Sequence, residues 1–417
     1  MAKEINISEQ PTVVKSEKKE TPIVQQKEPK GFFKLPKKTQ TIILISLATA
    51  LLLGIAAFYY FGIYKAKPFK IASEVINLNS EYLISKTKGH WLFNLANIMP
   101  EEPRTEVSPI NGLLFTKTEI DKLRKRRPVA VMINNHSAAR PQSGLNSADI
   151  VYETLTESGI TRYLAIFWSQ VPDKVGPIRS ARQYFLELLN PYDPLYIYDG
   201  CANTNNPKTD ACGNLYTYNI KKIATIGAWR FNDGRRYAPH NEYSSLISAW
   251  DYAEKMNWGS FSTIETWKFK SDAPVEERGE KSKVNIVFHT RINNSGMYDV
   301  IWTYDAKTNS YLKETGKKID IDQEMNTQVY AKSLVIQEVN MHPAYDDAGR
   351  IIQDIIGEGK AVFLMDGKIF DGTWKKATRL DRTTYFDNEG NEVQFNRGRV
   401  WISILARSEG KFAIIEQ

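Results

Sequence analysis

The sequence predicts a mixed α/β fold joined to a β-rich antiparallel C-terminal domain, behind a disordered tail and a single transmembrane helix. Three observations carry this. Between Arg127 and Arg182 apolar, strand-like runs alternate with short polar loops, and a helix-spaced apolar stripe follows at Ser245–Met256. From 283 to 407 the chain reads as short alternating strands separated by turn pairs such as Asp366-Gly367. Ahead of both lies an uncharged run, Thr41–Ile63. At 417 residues the chain has room for more than one domain.

The N-terminal 40 residues are rich in Lys, Glu, Gln, Thr and Pro and poor in aromatics. Such a segment cannot bury enough apolar area to offset its ordering entropy. Thr41–Ile63 has the length of a bilayer-spanning helix, and Tyr59 and Tyr60 lie near one end, where amphipathic rings favour the interface. A buried soluble helix would show a polar face. A cleaved signal peptide would have a shorter apolar region and no forty-residue tail before it. The expectation is an uncleaved signal anchor, tail in the cytoplasm and body extracytoplasmic. The lysine bias across the span is small, so the orientation rests on the Lys-rich tail and the long C-terminal body.

The net charge is +7, yet the first 63 residues hold nine Lys, no Arg and five Glu, which leaves only +3 on the remainder. Such balance argues against nucleic acid as a partner. Residues 64–111 read as a stalk, broken by PEEP and SPING. Thr116 and Glu119 fit a capping box for a short helix. Its basic end, Arg124–Arg127, is what a helix dipole favours.

The first folded domain is expected over 112–270. Val129–Asn134, Ile150–Glu157, Arg162–Trp168 and Leu195–Tyr198 read as strands. Alternation places Glu153 and Glu157 on one face. Arg162 would stand opposite Glu157 across the hairpin, as a modest ion pair or as part of a cleft wall. Arg179 and Arg182 open an expected helix through Leu189, where two cations oppose the dipole and an anion would relieve them. Arg140, Glu153, Glu157, Arg162, Arg179, Arg182 and His240 are therefore the candidate ligand-binding set. His240 follows Arg230, Arg235 and Arg236 and gains interest only if it meets Arg179 and Arg182 in space. No catalytic residue is assigned.

Cys201 and Cys212, the two cysteines of the chain, flank one polar loop. A disulfide there would contribute about 3 kcal/mol and needs an oxidising compartment; two free thiols are the alternative. No cysteine or histidine set has metal-ligand spacing, and His289 and His342 read as structural or surface residues. The sequence has no P-loop, GxGxxG, GxSxG, HExxH or CxxC, so no cofactor is implied. A polar linker at 271–282 precedes the C-terminal domain, 283–407.

RPVAVMINN, RPQSGLNSADIVYETLTESGITRYLAIF, VGPIRSAR and RYAPHN together resemble the YerB-like family, defined by the DUF3048 domain. GKAVFLMDGKIFDGTWKKATRLDRTTYFDNEGNEV resembles that family's C-terminal domain. The resemblance covers roughly 112–407. It implies an α+β layered sandwich with a β-rich C-terminal part, in an exported lipoprotein or membrane-anchored protein. It carries over no catalytic residue. This chain departs from it in lacking a lipobox cysteine and in carrying Cys201 and Cys212.

Two functions are compatible with these features. One is a membrane-anchored extracytoplasmic module that binds an anionic envelope polymer or an envelope protein. The other is an envelope hydrolase or transferase acting on glycan or peptide, with Glu153 or Glu157 as acid/base and arginine as the anion clamp. Open carboxylates would favour the enzyme; carboxylates locked to cations would favour binding.

Overall fold

The computed structural model describes residues 102–415 apart from 260–263, 281 and 293, together with scattered positions between 36 and 51. The chain divides into two units, Met1–Lys70 and Ile71–Gln417. In the first unit the described positions from 38 to 51 are helical. Among the described residues no helix is long and apolar enough to cross a membrane. The expected tail, the Thr41–Ile63 span and the stalk over 64–111 fall wholly or largely outside the described residues.

The second unit is β-rich with few helices. Helix α1 (Lys117–Leu123) begins at the capping box, with Thr116 accepting from the Glu119 amide and Glu119 accepting from the Thr116 amide. Strands β1 (Val129–Asn134), β2 (Ile150–Leu155) and β3 (Thr161–Phe167) follow. Then come α2 (Gln183–Leu189), β4 (Leu195–Ile197), α3 (Ala211–Thr217), β5 (Lys221–Ala224) and α4 (Leu246–Lys255). The C-terminal half adds β6 (Lys283–Val287), β7 (Val300–Asp305), β8 (Ser310–Thr315), β9 (Lys318–Ile319) and β10 (Tyr330–Ala331). It continues with β11 (Ser333–Val339), β12 (Gly357–Met365), β13 (Lys368–Lys376), β14 (Thr384–Asp387), β15 (Val400–Ala406) and β16 (Lys411–Ile415).

One ten-stranded sheet runs β14-β13-β12-β11-β15-β2-β3-β1-β4-β5 and takes strands from both sides of residues 271–282. Strand β15 makes that junction. It pairs in parallel with β11 on one side and with β2 on the other. The C-terminal half is therefore not purely antiparallel, as its hairpins had suggested. A parallel pair needs a long crossover, and short-range turn signals cannot announce one. A second sheet, β9-β8-β7-β6-β16 with β10 beside β8, is antiparallel.

The large sheet is covered on both faces, which explains its near-continuous apolar runs. Ala130, Met132, Ile402 and Ile404 face one core with Ile120, Phe185, Leu189 and Trp267. Val129, Val131, Ile133 and Trp401 face the other with Trp250 of α4 and Val284, Ile286 and Trp302 of the second sheet. Truncating a side chain such as Ile402 at this depth costs about 2–5 kcal/mol.

Candidate functional site

The site forms where an extended segment, 177–181, crosses the end of β1. Asn134 N donates to Pro177 O at 2.8 Å and Arg179 N to Met132 O at 2.8 Å. On the far side Ile178 N donates to Glu242 O at 2.7 Å, and Asp199 N donates to Arg179 O at 3.0 Å. A buried crossing must satisfy its backbone groups, and here that requirement brings four separate segments together. Arg179, Asp199, Glu242 and Asn134 meet as a result. The Cys201–Cys212 disulfide, with Cα atoms 5.3 Å apart, closes the loop next to Asp199.

Asn134 organises two histidines. Its Oδ1 accepts from the His136 amide at 2.9 Å, which directs its Nδ2 toward His240 Nδ1 at 3.1 Å. The Ala138 amide donates to His136 Nδ1 at 3.1 Å. Each ring therefore has Nδ1 as an acceptor and carries its proton on Nε2. The rings stack, with centroids 4.3 Å apart and planes inclined by 19°. Burial lowers the pKa of both. The charges of Arg140 and Arg179 add to this at His136, and those of His136 and Arg179 at His240. The pair is thus two neutral N–H donors at pH 7, since Nδ1 protonation would break the bonds it accepts.

The arginines differ in how they are held. Arg182 grips Glu157 with two bonds, one from Nη2 to Oε2 at 3.0 Å. Burial pushes the Glu157 carboxyl up, but the Arg182 bond and charge, with Arg162, outweigh it and hold the group below its usual value. Arg162 is buried and donates to Ser180 O. Its burial, with Arg182 nearby, pulls the guanidinium down to about 10. Arg230 binds Glu242 at 2.6 Å and reaches Asp199 at 3.8 Å. Burial, then the hydrogen bond shared with Asp199, pushes Glu242 up. Arg179 is partly buried and its side chain makes no ion pair or hydrogen bond with any described residue. Burial and the Arg182 charge lower its pKa, whereas Asp199 and Glu157 act the other way.

Arg162, Arg179, Arg182, Glu157 and His240 are thus brought together. Arg140 stands at the margin, its Nε bonded to Asn135 Oδ1 at 3.0 Å and its guanidinium over the Tyr298 ring. Glu153 is elsewhere. Strand β2 ends at Leu155, so Glu157 opens a 3-10 turn and the alternation that paired it with Glu153 does not reach it. Glu153 instead points between the two sheets, fully buried, 3.5 Å from Lys313 Nζ. Thr161 and Trp401 also donate to it. Burial pushes its carboxyl up and Lys313 opposes that. Neither Glu153 nor Glu157 is an open acid/base.

Two further expectations are corrected. Helix α2 starts at Gln183 with Arg182 as its extended N-cap residue, so Arg179 sits in extended chain rather than at a helix end. Arg126 and Arg127 do not serve a helix dipole in solvent. Both are buried, Arg126 bonded to Trp168 O and lying over Trp250, Arg127 bonded to Trp258 O and Asp193.

Asp199, Glu242 and Lys313 were missing from the sequence reading, whereas Asn134 and His136 fell in the 127–182 stretch read as the wall of a polar cleft but outside the ligand-binding set. Asn134 and His136 carried a signal, as polar residues at the end of an apolar strand. Asp199, Glu242 and Lys313 carried none, because each matters only through a partner distant in sequence. Cations in this number, with neutral N–H donors beside them, suit an anion. Among the described residues no group of three or more His, Cys, Asp or Glu could hold a metal ion.

Comparison with known proteins agrees on one relationship. The profile described as "Protein of unknown function (DUF3048) N-terminal domain" matches residues 115–259. The corresponding C-terminal domain profile matches 288–402. The chain is similar to "Putative lipoprotein YerB" of Bacillus subtilis (strain 168), 31% identical over 312 residues, which is 74% of this chain and 88% of that protein. The crystal structure of the Bacillus subtilis YerB protein aligns with a TM-score of 0.63 at 29% identity, covering 74% of this chain and 100% of that one.

Proposed function

This chain belongs to the DUF3048 family, and from that premise we propose that it is an envelope module which binds an anionic ligand at Arg179. The lipoprotein description of its relative supports a membrane-associated, extracytoplasmic place. On this reading Thr41–Ile63 is the anchor, the tail is cytoplasmic and the body is a YerB-like layered sandwich outside. The uncharged composition of that run supports it. The partner is an envelope polymer or an envelope protein.

The observation that carries the proposal is Arg179. A guanidinium that is partly buried beside Arg162 and Arg182 is costly unless an anion meets it. Glu157 is already taken by Arg182, and Glu242 by Arg230. The His136 and His240 Nε2–H groups supply neutral donors to the same ligand. The enzyme reading loses the open carboxylate it required.

The test is calorimetric titration of pyrophosphate into the full-length chain in detergent. A charge-assisted bond contributes about 1.5–3 kcal/mol, so Arg179→Ala should weaken binding roughly 10- to 150-fold. Equal affinity in the variant, with its fold intact, would remove Arg179 from the site.

A further inference from the structure

A second cationic feature adjoins this site. A cleft of about 610 Å³ opens between the 137–142 loop and the turn that joins β8 to β9, lined by Arg140, Gln142, Lys317, Lys318, Asp320 and Ile321 among others. Its walls are anchored from below. Gln142 Nε2 donates to Asn135 Oδ1 and to Asn134 O, at 3.0 and 3.1 Å. Asp320, the carboxylate of the cleft, is turned to Lys313 Nζ at 2.8 Å and Thr315 Oγ1 at 2.6 Å, so its charge is met from inside. Lys317 and Lys318 are exposed and form no ion pair with any described residue. Lys317 also holds a φ of +63°, in a turn where glycine would sit without strain.

The cleft and the Arg179 site share the 134–142 segment. Ser137 lines the cleft, and its neighbour His136 stacks on His240 in the other site. The charges of Arg140, from the cleft, and of Arg179 both act on the His136 ring. The 134–142 segment therefore links the two places, with Ser137 in the cleft wall and His136 in the histidine stack.

We propose that the Arg140–Lys317–Lys318 cleft is a second anion subsite, and that the ligand is a linear polymer bearing repeated anionic groups that engages both. This rests on the anion reading of Arg179 and specifies its ligand class. Two linked contacts raise affinity through effective concentration, and only for a chain long enough to span them. Repeated phosphates and repeated carboxylates share this chemistry.

The experiment measures affinity of the full-length chain in detergent for pyrophosphate, for linear polyphosphates of increasing length, and for oligogalacturonates of matched length. The expected result is a step of tenfold or more once either series reaches spanning length. The series that shows the step identifies phosphate or carboxylate as the repeated group. Lys317→Ala/Lys318→Ala should abolish the step, with the fold unchanged by circular dichroism. A charge-matched control on another face, Lys360→Ala/Lys375→Ala, should keep the step. Smooth dependence on length in both series, or a step that survives the Lys317/Lys318 double variant, overturns the second subsite. Loss of the step in the control assigns it to net charge and overturns the subsite equally. Absence of binding by both pyrophosphate and the oligogalacturonates in the unmodified chain instead overturns the Arg179 reading, so the two failures are distinct.

Discussion

Glu153 and Glu157 lie four residues apart on one hairpin and end in opposite kinds of environment. Glu153 is sealed between two sheets with Lys313, inside a cage of Tyr163, Trp302 and Trp401. Glu157 lies at the edge of a cationic site, gripped by Arg182 but beside an Arg179 that no described carboxylate meets. The first cluster is satisfied by the chain itself. The second carries a cation left over. Charged residues in a stretch of sequence therefore do not by themselves mark a ligand site; on the proposed reading, the remainder after internal pairing does.

The largest expected effect probes the sealed cluster. Lys313→Met leaves Glu153 and Asp320 buried without their cation, and should cost about 3–5 kcal/mol in denaturant unfolding. Pairing it with Glu153→Gln should recover part of that loss. A cost below about 1 kcal/mol would mean that the cluster is not a closed unit and would erase the contrast.

Arg182→Ala should cost less, about 1.5–3 kcal/mol, since it removes a charge-assisted pair that retains some solvent access. It also has a pH signature. The Glu157 carboxyl is held below its usual value, so the pair contributes stability that is present above pH ~4.5 and lost as pH falls through the folded pKa. The variant should flatten that acid limb. An unchanged limb would show that Glu157 is not Arg182's partner in solution.

Arg179→Ala should not destabilise the ligand-free chain and should stabilise it slightly, because it removes a partly buried cation that lies beside Arg182. Its effect should appear in the histidines. Burial lowers both ring pKa values and the Arg179 charge adds to it, so NMR titration of the variant should move His136 and His240 up by part of that shift. Where the folded pKa lies below the unfolded one, the unfolded chain binds more protons. Stability then falls as pH drops through that window, and the variant should narrow it. Rings that titrate identically would place Arg179 away from the stack.

Much of the local structure was legible before any coordinates. Thr116 and Glu119 specified their helix start, because a capping box is completed within four residues. The β2–β3 hairpin followed from two apolar runs around one tight turn. Even the grouping of Arg162, Arg179, Arg182 and Glu157 could be anticipated, since all lie within one short stretch. Three decisions belonged to the tertiary structure alone. Strand β15 enters in parallel between β11 and β2, about 250 residues after β2, and joins both halves in one sheet. Glu153 turns to Lys313 because β2 ends before Glu157 and breaks the shared alternation. Arg179 forms no ion pair with any described residue, because Arg182 and Arg230 take the carboxylates that could have met it. Periodicity and capping act over a few residues and are written in order along the chain. Charge pairing acts through space, so it is settled only when distant segments meet.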